Sequence, residues 1–215
     1  MEKLLRDAAA DHSLPDEIRL TAFRALAGVS RTDESRDLLR TVFLEGNGYK
    51  GLKLGQRDYL TLSCELALRC PEEYGRIRDL QESRIDNPDQ LREFRFIYPA
   101  VHPDRQVRDS LFAALLEPGN RTVEPWAASA LAYLNHPLRQ QEAVGYIYPA
   151  LEALPEIQRT GDIFFPKNWC VSLLDGHDSP EAAAEVRRYL DAHPELPELL
   201  EVKLLQAADH LLRNE

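Results

Sequence analysis

Four things this sequence lacks do most to narrow its function. It has no apolar run near the roughly 20 residues that a membrane-spanning helix needs, and its start, MEKLLRDAAADHS, is too charged for a signal peptide. Its three cysteines, Cys64, Cys70 and Cys170, form no CxxC pair. An odd, scattered set reads as reduced thiols, so a cytosol-like compartment is expected. Basic charge is short: 26 Lys and Arg against 36 Asp and Glu give a net −10. Such a chain repels phosphate backbones, so no nucleic-acid partner is expected. Finally, no stretch alternates apolar and polar residues at period two, so no sheet is expected.

The motifs of common hydrolases are missing too. No His is followed by Glu, which excludes the HExxH helix that binds zinc and activates water in zinc peptidases. His12, His102, His136, His177, His193 and His210 are scattered, with no pair at ligand spacing. GxSxG is absent, so no nucleophile elbow is expected. Cys170 is the one conceivable nucleophile, and nothing near it in sequence argues for an activated thiol. Gly46, Gly48, Gly51 and Gly55 crowd one segment, Phe43 to Leu60, but match neither phosphate-loop spacing. A mobile inter-helix loop is expected there, with a helix starting at Gln56 or Arg57.

Helical periodicity is what the chain does have. Apolar residues recur at three and four: Leu4, Leu5, Ala8 and Ala9; Ile18, Ala22, Phe23 and Leu26; Leu38, Leu39, Val42 and Phe43; Leu91, Phe94, Tyr98 and Val101; Val107, Leu111 and Leu115. Pro15, Pro71, Pro88, Pro103, Pro125, Pro137, Pro180 and Pro197 each stand just before such a segment, where a missing N–H costs nothing. Asn87 and Ser179 stand before Pro88 and Pro180 as side-chain caps. His102, His136 and His193 also precede Pro and read as helix-end residues. The arginines of RIRDLQESR (Arg76–Arg84) and VRDSLF (Val107–Phe112) are interleaved with acids and read as solvated helix faces.

The expected fold is therefore all-α, an irregular superhelix of HEAT/armadillo-like hairpins forming one domain over 1–215 with a concave face. HEAT-type repeats of about 40–47 residues would allow about five helix pairs. Each pair needs neighbours to cover its apolar stripe.

The densest region is Asn120 to Trp169, which holds both Trp residues, Trp126 and Trp169. EPWAASALAYLNHPLR (Glu124–Arg139), EIQRTGDIFFPKNW (Glu156–Trp169) and DGHDSPEAAAEVRRYLDAHPELPELLEVKLLQAADHLLR (Asp175–Arg213) resemble, in order, the C-terminal helical domain of zinc aminopeptidases of the alanyl-aminopeptidase family. The resemblance covers about half the chain, from near Val107. Earlier residues fit only by helical texture, best at EIRLTAFRALAG (Glu17–Gly28).

The resemblance implies a bowl-shaped accessory domain of a multidomain enzyme. In that family a separate catalytic domain carries HExxH, the zinc and a GxMEN stretch that grips the peptide's amino terminus. The helical domain restricts access to that zinc. This chain has neither motif, and its single Met is Met1, so the implied partners are the catalytic domain of the same polypeptide and a peptide substrate. The compartment would then be set by sequence upstream. Phe164, Phe165 and Trp169 would wedge between helices, leaving Asp162 and Lys167 at the rim. Arg121, Glu124, Arg139 and Arg159 are the candidates for substrate- or interface-facing groups, since a guanidinium can bind a carboxylate bidentately. The rival class is a free-standing helical scaffold that binds another protein on its concave face. An independent hydrolase using Cys170 is a third reading.

Overall fold

The computed structural model describes residues 1–213. They form thirteen α-helices joined by short loops and 3-10 turns. Among the described residues there is no strand, only an isolated bridge between Tyr49 and Leu52. The fold is all-α, a helical repeat of short hairpins. The helices gather into two compact units, one ending at Phe94 and one starting at Arg95.

The first unit holds α1 (Glu2–Ala10), α2 (Asp16–Val29), α3 (Asp33–Glu45), α4 (Gln56–Arg69) and α5 (Tyr74–Ser83). Helices α1 and α2 form a hairpin, α2 and α3 lie on α4, and α4 also meets α5. Helix α4 is the central rod: in its second half Leu62, Ser63, Cys64, Glu65, Leu66, Ala67 and Leu68 are all buried, so that half is covered on every side. The unit boundary falls within α6 (Pro88–Ile97).

The second unit holds α7 (Arg105–Leu116), α8 (Glu124–Leu134), α9 (Gln140–Glu152), α10 (Leu154–Thr160), α11 (Phe165–Leu174), α12 (Pro180–Ala192) and α13 (Glu198–Leu212). Helix α11 sits at its centre, packed on α8, α9, α10 and α13, while α12 covers α9. The core runs from Ala100 to Leu211 and includes Leu131, Ile147, Leu151, Trp169, Leu173 and Tyr189.

Local signals place the helix ends. Asn87 Oδ1 accepts from the N–H of Asp89 at 2.8 Å, and Ser179 Oγ from that of Ala182 at 3.2 Å. His136 caps the next 3-10 turn, its Nδ1 accepting the Leu138 N–H, while His102 Nδ1 accepts the N–H of Asp104, which itself caps α7 by accepting from the Gln106 N–H at 2.9 Å. His193 closes α12 through the Tyr189 carbonyl.

Arg76 and Arg78 lie on a solvated face beside Glu73 and Asp79, as expected, but other arginines are used differently. Arg69 donates to the carbonyls of Gly28 and Ser30 at the end of α2, and Arg84 to those of Phe43 and Leu44 at the end of α3. Arg108 is buried and holds the carbonyls of His102 and Pro103. A guanidinium suits this place because a helix C-terminus presents carbonyls without partners and a partial negative charge. In α2 the expected stripe residue Ile18 faces out and its neighbour Arg19 is buried, donating to the carbonyls of Ala9 and Lys50. The glycine-rich segment is also bonded to other helices: besides the Arg19 bond to Lys50, the Tyr59 hydroxyl accepts from the Gly48 N–H at 3.1 Å. Gly46, Gly48 and Gly51 take positive φ, which the tight path requires. Helix α4 then begins at Gln56.

Candidate functional site

The connection from α10 to α11 is built by its own sequence. Gly161 ends α10, its N–H on the Ile157 carbonyl at 2.9 Å. A Cβ there would lie 2.8 Å from that carbonyl oxygen and 2.9 Å from the Phe165 ring, so only glycine fits. Asp162 follows. Its N–H donates to Glu124 Oε1 at 2.8 Å, and its own Oδ1 accepts from the Phe164 N–H at 2.9 Å. That turn aims two adjacent phenylalanines in opposite directions. Phe165 is 3% exposed and meets the Trp169 ring edge-on at 5.9 Å between centroids. Trp169 is fully buried and donates its indole N–H to the Ala150 carbonyl at 2.9 Å. Phe164, expected to wedge with them, is instead 68% exposed, and Ile163 beside it is 70% exposed.

Helix α13 adjoins this tip. Lys203 donates to Gln158 Oε1 of α10 at 2.8 Å and reaches toward the Ile163 carbonyl at 3.4 Å. On α13 the residues Leu200, Leu204, Ala208 and Leu211 are buried, while Leu199, Val202 and Leu205 form a second, outward row at spacing three. An apolar surface with charged borders thus remains on this unit. Ile163, Lys203 and the outward α13 row carry no role in the sequence reading, although the IFF run and the excess of apolar positions on α13 were the available signals.

The charged candidates divide. Glu124 and Asp162 are brought together by the hydrogen bond above. Arg159 and Lys167 are exposed and make no ion pair with a described residue. Arg121 is not a surface group: it is 5% exposed, donates to the Leu115 and Leu116 carbonyls at 2.7 Å, pairs with Glu156 and lies over the Trp169 ring. Its donors are spent on the end of α7, which corrects its assignment as a facing residue. Arg139 is half-buried and reaches the Ala100 and Val101 carbonyls at 3.4 and 3.1 Å. Burial and the neighbouring Arg108 charge bring its pKa down to about 10.

No nucleophile emerges. Cys170 is fully buried and burial pushes its thiol up to about 12, the opposite of an activated cysteine. Cys70, Glu72 and Glu73 form the one donor group among the described residues whose ligand atoms lie within 4.8 Å of each other. Glu73 there is held by Arg40 through two hydrogen bonds of 2.7 and 3.0 Å, and burial raises the Cys70 thiol. A cation already occupies that carboxylate, so the set does not fit a catalytic zinc. His177 is buried, with Nε2 2.9 Å from Asn135 Oδ1. Desolvation by burial lowers its pKa to about 4. Gly176 beside it would place a Cβ 1.9 Å from the Asn135 carbonyl oxygen, so this contact also demands glycine.

Compared with known proteins, the chain matches no family model, no curated protein and no solved structure.

Proposed function

We propose that this chain is the C-terminal accessory domain of a zinc aminopeptidase. It packs against the catalytic domain of the same polypeptide and limits peptide access to the zinc held there, while that domain removes amino-terminal residues. The carrying observation is the exposed tip of Ile163 and Phe164 beside the outward row of Leu199, Val202 and Leu205. Exposed large apolar side chains on neighbouring elements are what a docking face presents, and the tip lies within the TGDIFFPKNW segment that bears the resemblance. Further support comes from the helical-hairpin architecture and from the inert environment of Cys170, which disfavours an independent cysteine hydrolase.

The test is the double substitution Ile163→Asp with Phe164→Asp in the full-length polypeptide. Loss of domain packing should open the inter-domain segment to limited proteolysis and weaken discrimination between short and long peptide substrates. An unchanged cleavage pattern together with an unchanged peptide-length profile would sink the reading. The rival is a free-standing scaffold whose apolar tip serves a separate protein, and it predicts a polypeptide that runs alone at 24.5 kDa.

A further inference from the structure

A different feature, in the first unit, points to a small-molecule site. A cavity of about 130 Å³ is lined by Gln56, Arg57 and Leu60 of α4, Gln81 and Ile85 at the end of α5, and Gln90 and Glu93 of α6. Gln56 and Leu60, Gln81 and Ile85, and Gln90 and Glu93 are each spaced by three or four. Helices α4 and α6 therefore each turn one strip of surface toward the same space, and Ile85 joins them from just past the end of α5.

Gln81 sets this cavity apart from an ordinary gap. Its side chain is fully buried, yet neither its amide nitrogen nor its amide oxygen has a protein partner. Buried polar groups are nearly always hydrogen-bonded, and an unpaired one destabilises the fold. A carboxamide presents a donor and an acceptor side by side. A neutral group that satisfies both at once is another amide, paired head to head. Gln56 donates to the Arg84 carbonyl at 3.2 Å, which fixes its side chain and leaves its own oxygen as a further acceptor. The remaining polar wall is the Gln90 carboxamide together with one cation and one anion. Arg57 and Glu93 form no ion pair with each other or with another described residue. A ligand with a carboxylate, an ammonium and an amide matches all three features. Leu60 and Ile85 supply the apolar wall for a short aliphatic stem.

We propose that this cavity binds a free amino acid bearing a side-chain carboxamide, the asparagine–glutamine class. Gln81 reads the amide, Arg57 the carboxylate and Glu93 the ammonium. The site is independent of the interaction surface on the second unit.

The experiment is thermal-shift and calorimetric titration of the full chain with millimolar L-glutamine, L-asparagine, L-glutamate, L-leucine and acetamide, in wild type, Gln81→Leu and Arg57→Ala. Leucine replaces Gln81 at similar volume while removing both unpaired polar atoms, so Gln81→Leu should fold and melt at or above the wild-type temperature. Arg57 is exposed, and its replacement leaves packing intact. The proposal expects binding of glutamine or asparagine in preference to glutamate and leucine. It expects that binding to vanish in Gln81→Leu and to weaken about tenfold or more in Arg57→Ala. No binding of either amide amino acid, equal binding of leucine, or binding retained in Gln81→Leu would each overturn it. The Gln81 amide would then be satisfied by water alone.

Discussion

Replacing Phe165 with Ala while separately replacing Phe164 tests how the α10–α11 connection is built. The two residues are chemically identical and adjacent, yet Phe165 is 3% exposed and Phe164 is 68% exposed. Phe165→Ala removes a buried ring packed on Trp169 and leaves a space that Gly161 has no side chain to fill. Phe→Ala in a packed core costs about 3–5 kcal/mol. The same change at an exposed position stays within about 0.5 kcal/mol. Both tryptophans, Trp126 and Trp169, belong to the second unit, so fluorescence-monitored urea unfolding reports on that unit directly. With a slope of about 2 kcal/mol per molar urea, the Phe165→Ala midpoint should fall by about 2 M and the Phe164→Ala midpoint by less than about 0.3 M. Equal shifts, or a larger shift for Phe164→Ala, would refute the opposed orientation and with it the exposed tip.

Other outcomes follow from the same contacts. His177 has its pKa lowered from 6.5 to about 4 in the fold, so between those values the unfolded chain binds the extra proton. Stability is then fully present above about pH 6.5 and falls as pH drops toward 4, by about 3 kcal/mol in total. His177→Gln should flatten that slope in pH-dependent urea unfolding, and a slope that persists would assign it to other groups. Arg121→Met strips the Leu115 and Leu116 carbonyls of their donor and leaves Glu156 partly buried without its partner. Thermal unfolding should show a loss of about 2–4 kcal/mol, and a neutral result would contradict the structural role. Native Cys170 should resist a thiol reagent such as DTNB until the second unit unfolds, because it is fully buried and its thiol is held protonated. Rapid labelling of the native chain would contradict that burial.

The parts of the fold legible in the sequence are those decided locally. Helix starts at Pro88 and Pro180, with Asn87 and Ser179 as caps, need only neighbours within three residues. The histidines before proline became helix-end groups for the same reason. The arginines were not legible. Arg84 meets the Phe43 carbonyl 41 residues away, and Arg69 the Gly28 carbonyl at the same separation. A charged residue among acids looks solvated in sequence, and only tertiary packing brings a helix end to it. Arg19 in place of Ile18 is the same effect shifted by one position: the side chain with carbonyls to cap went inside. Around Gly46 to Gly55 the sequence showed only glycine spacing, whereas the bonds from Arg19 to the Lys50 carbonyl and from the Gly48 N–H to Tyr59 come from other helices. Within TGDIFFPKNW, composition marked an aromatic connection, but which phenylalanine faced inward depended on the Asp162 turn and its bond to Glu124.

The central claim is that this helical chain serves a catalytic partner in the same polypeptide. The most direct measurement is the native mass of the polypeptide carrying this sequence, by immunoblot of source-cell extract with antibody raised against the second unit. The account predicts a band several times larger than 24.5 kDa, with upstream sequence that contains HExxH. A sole band at 24.5 kDa would contradict it and leave the chain as a free-standing scaffold.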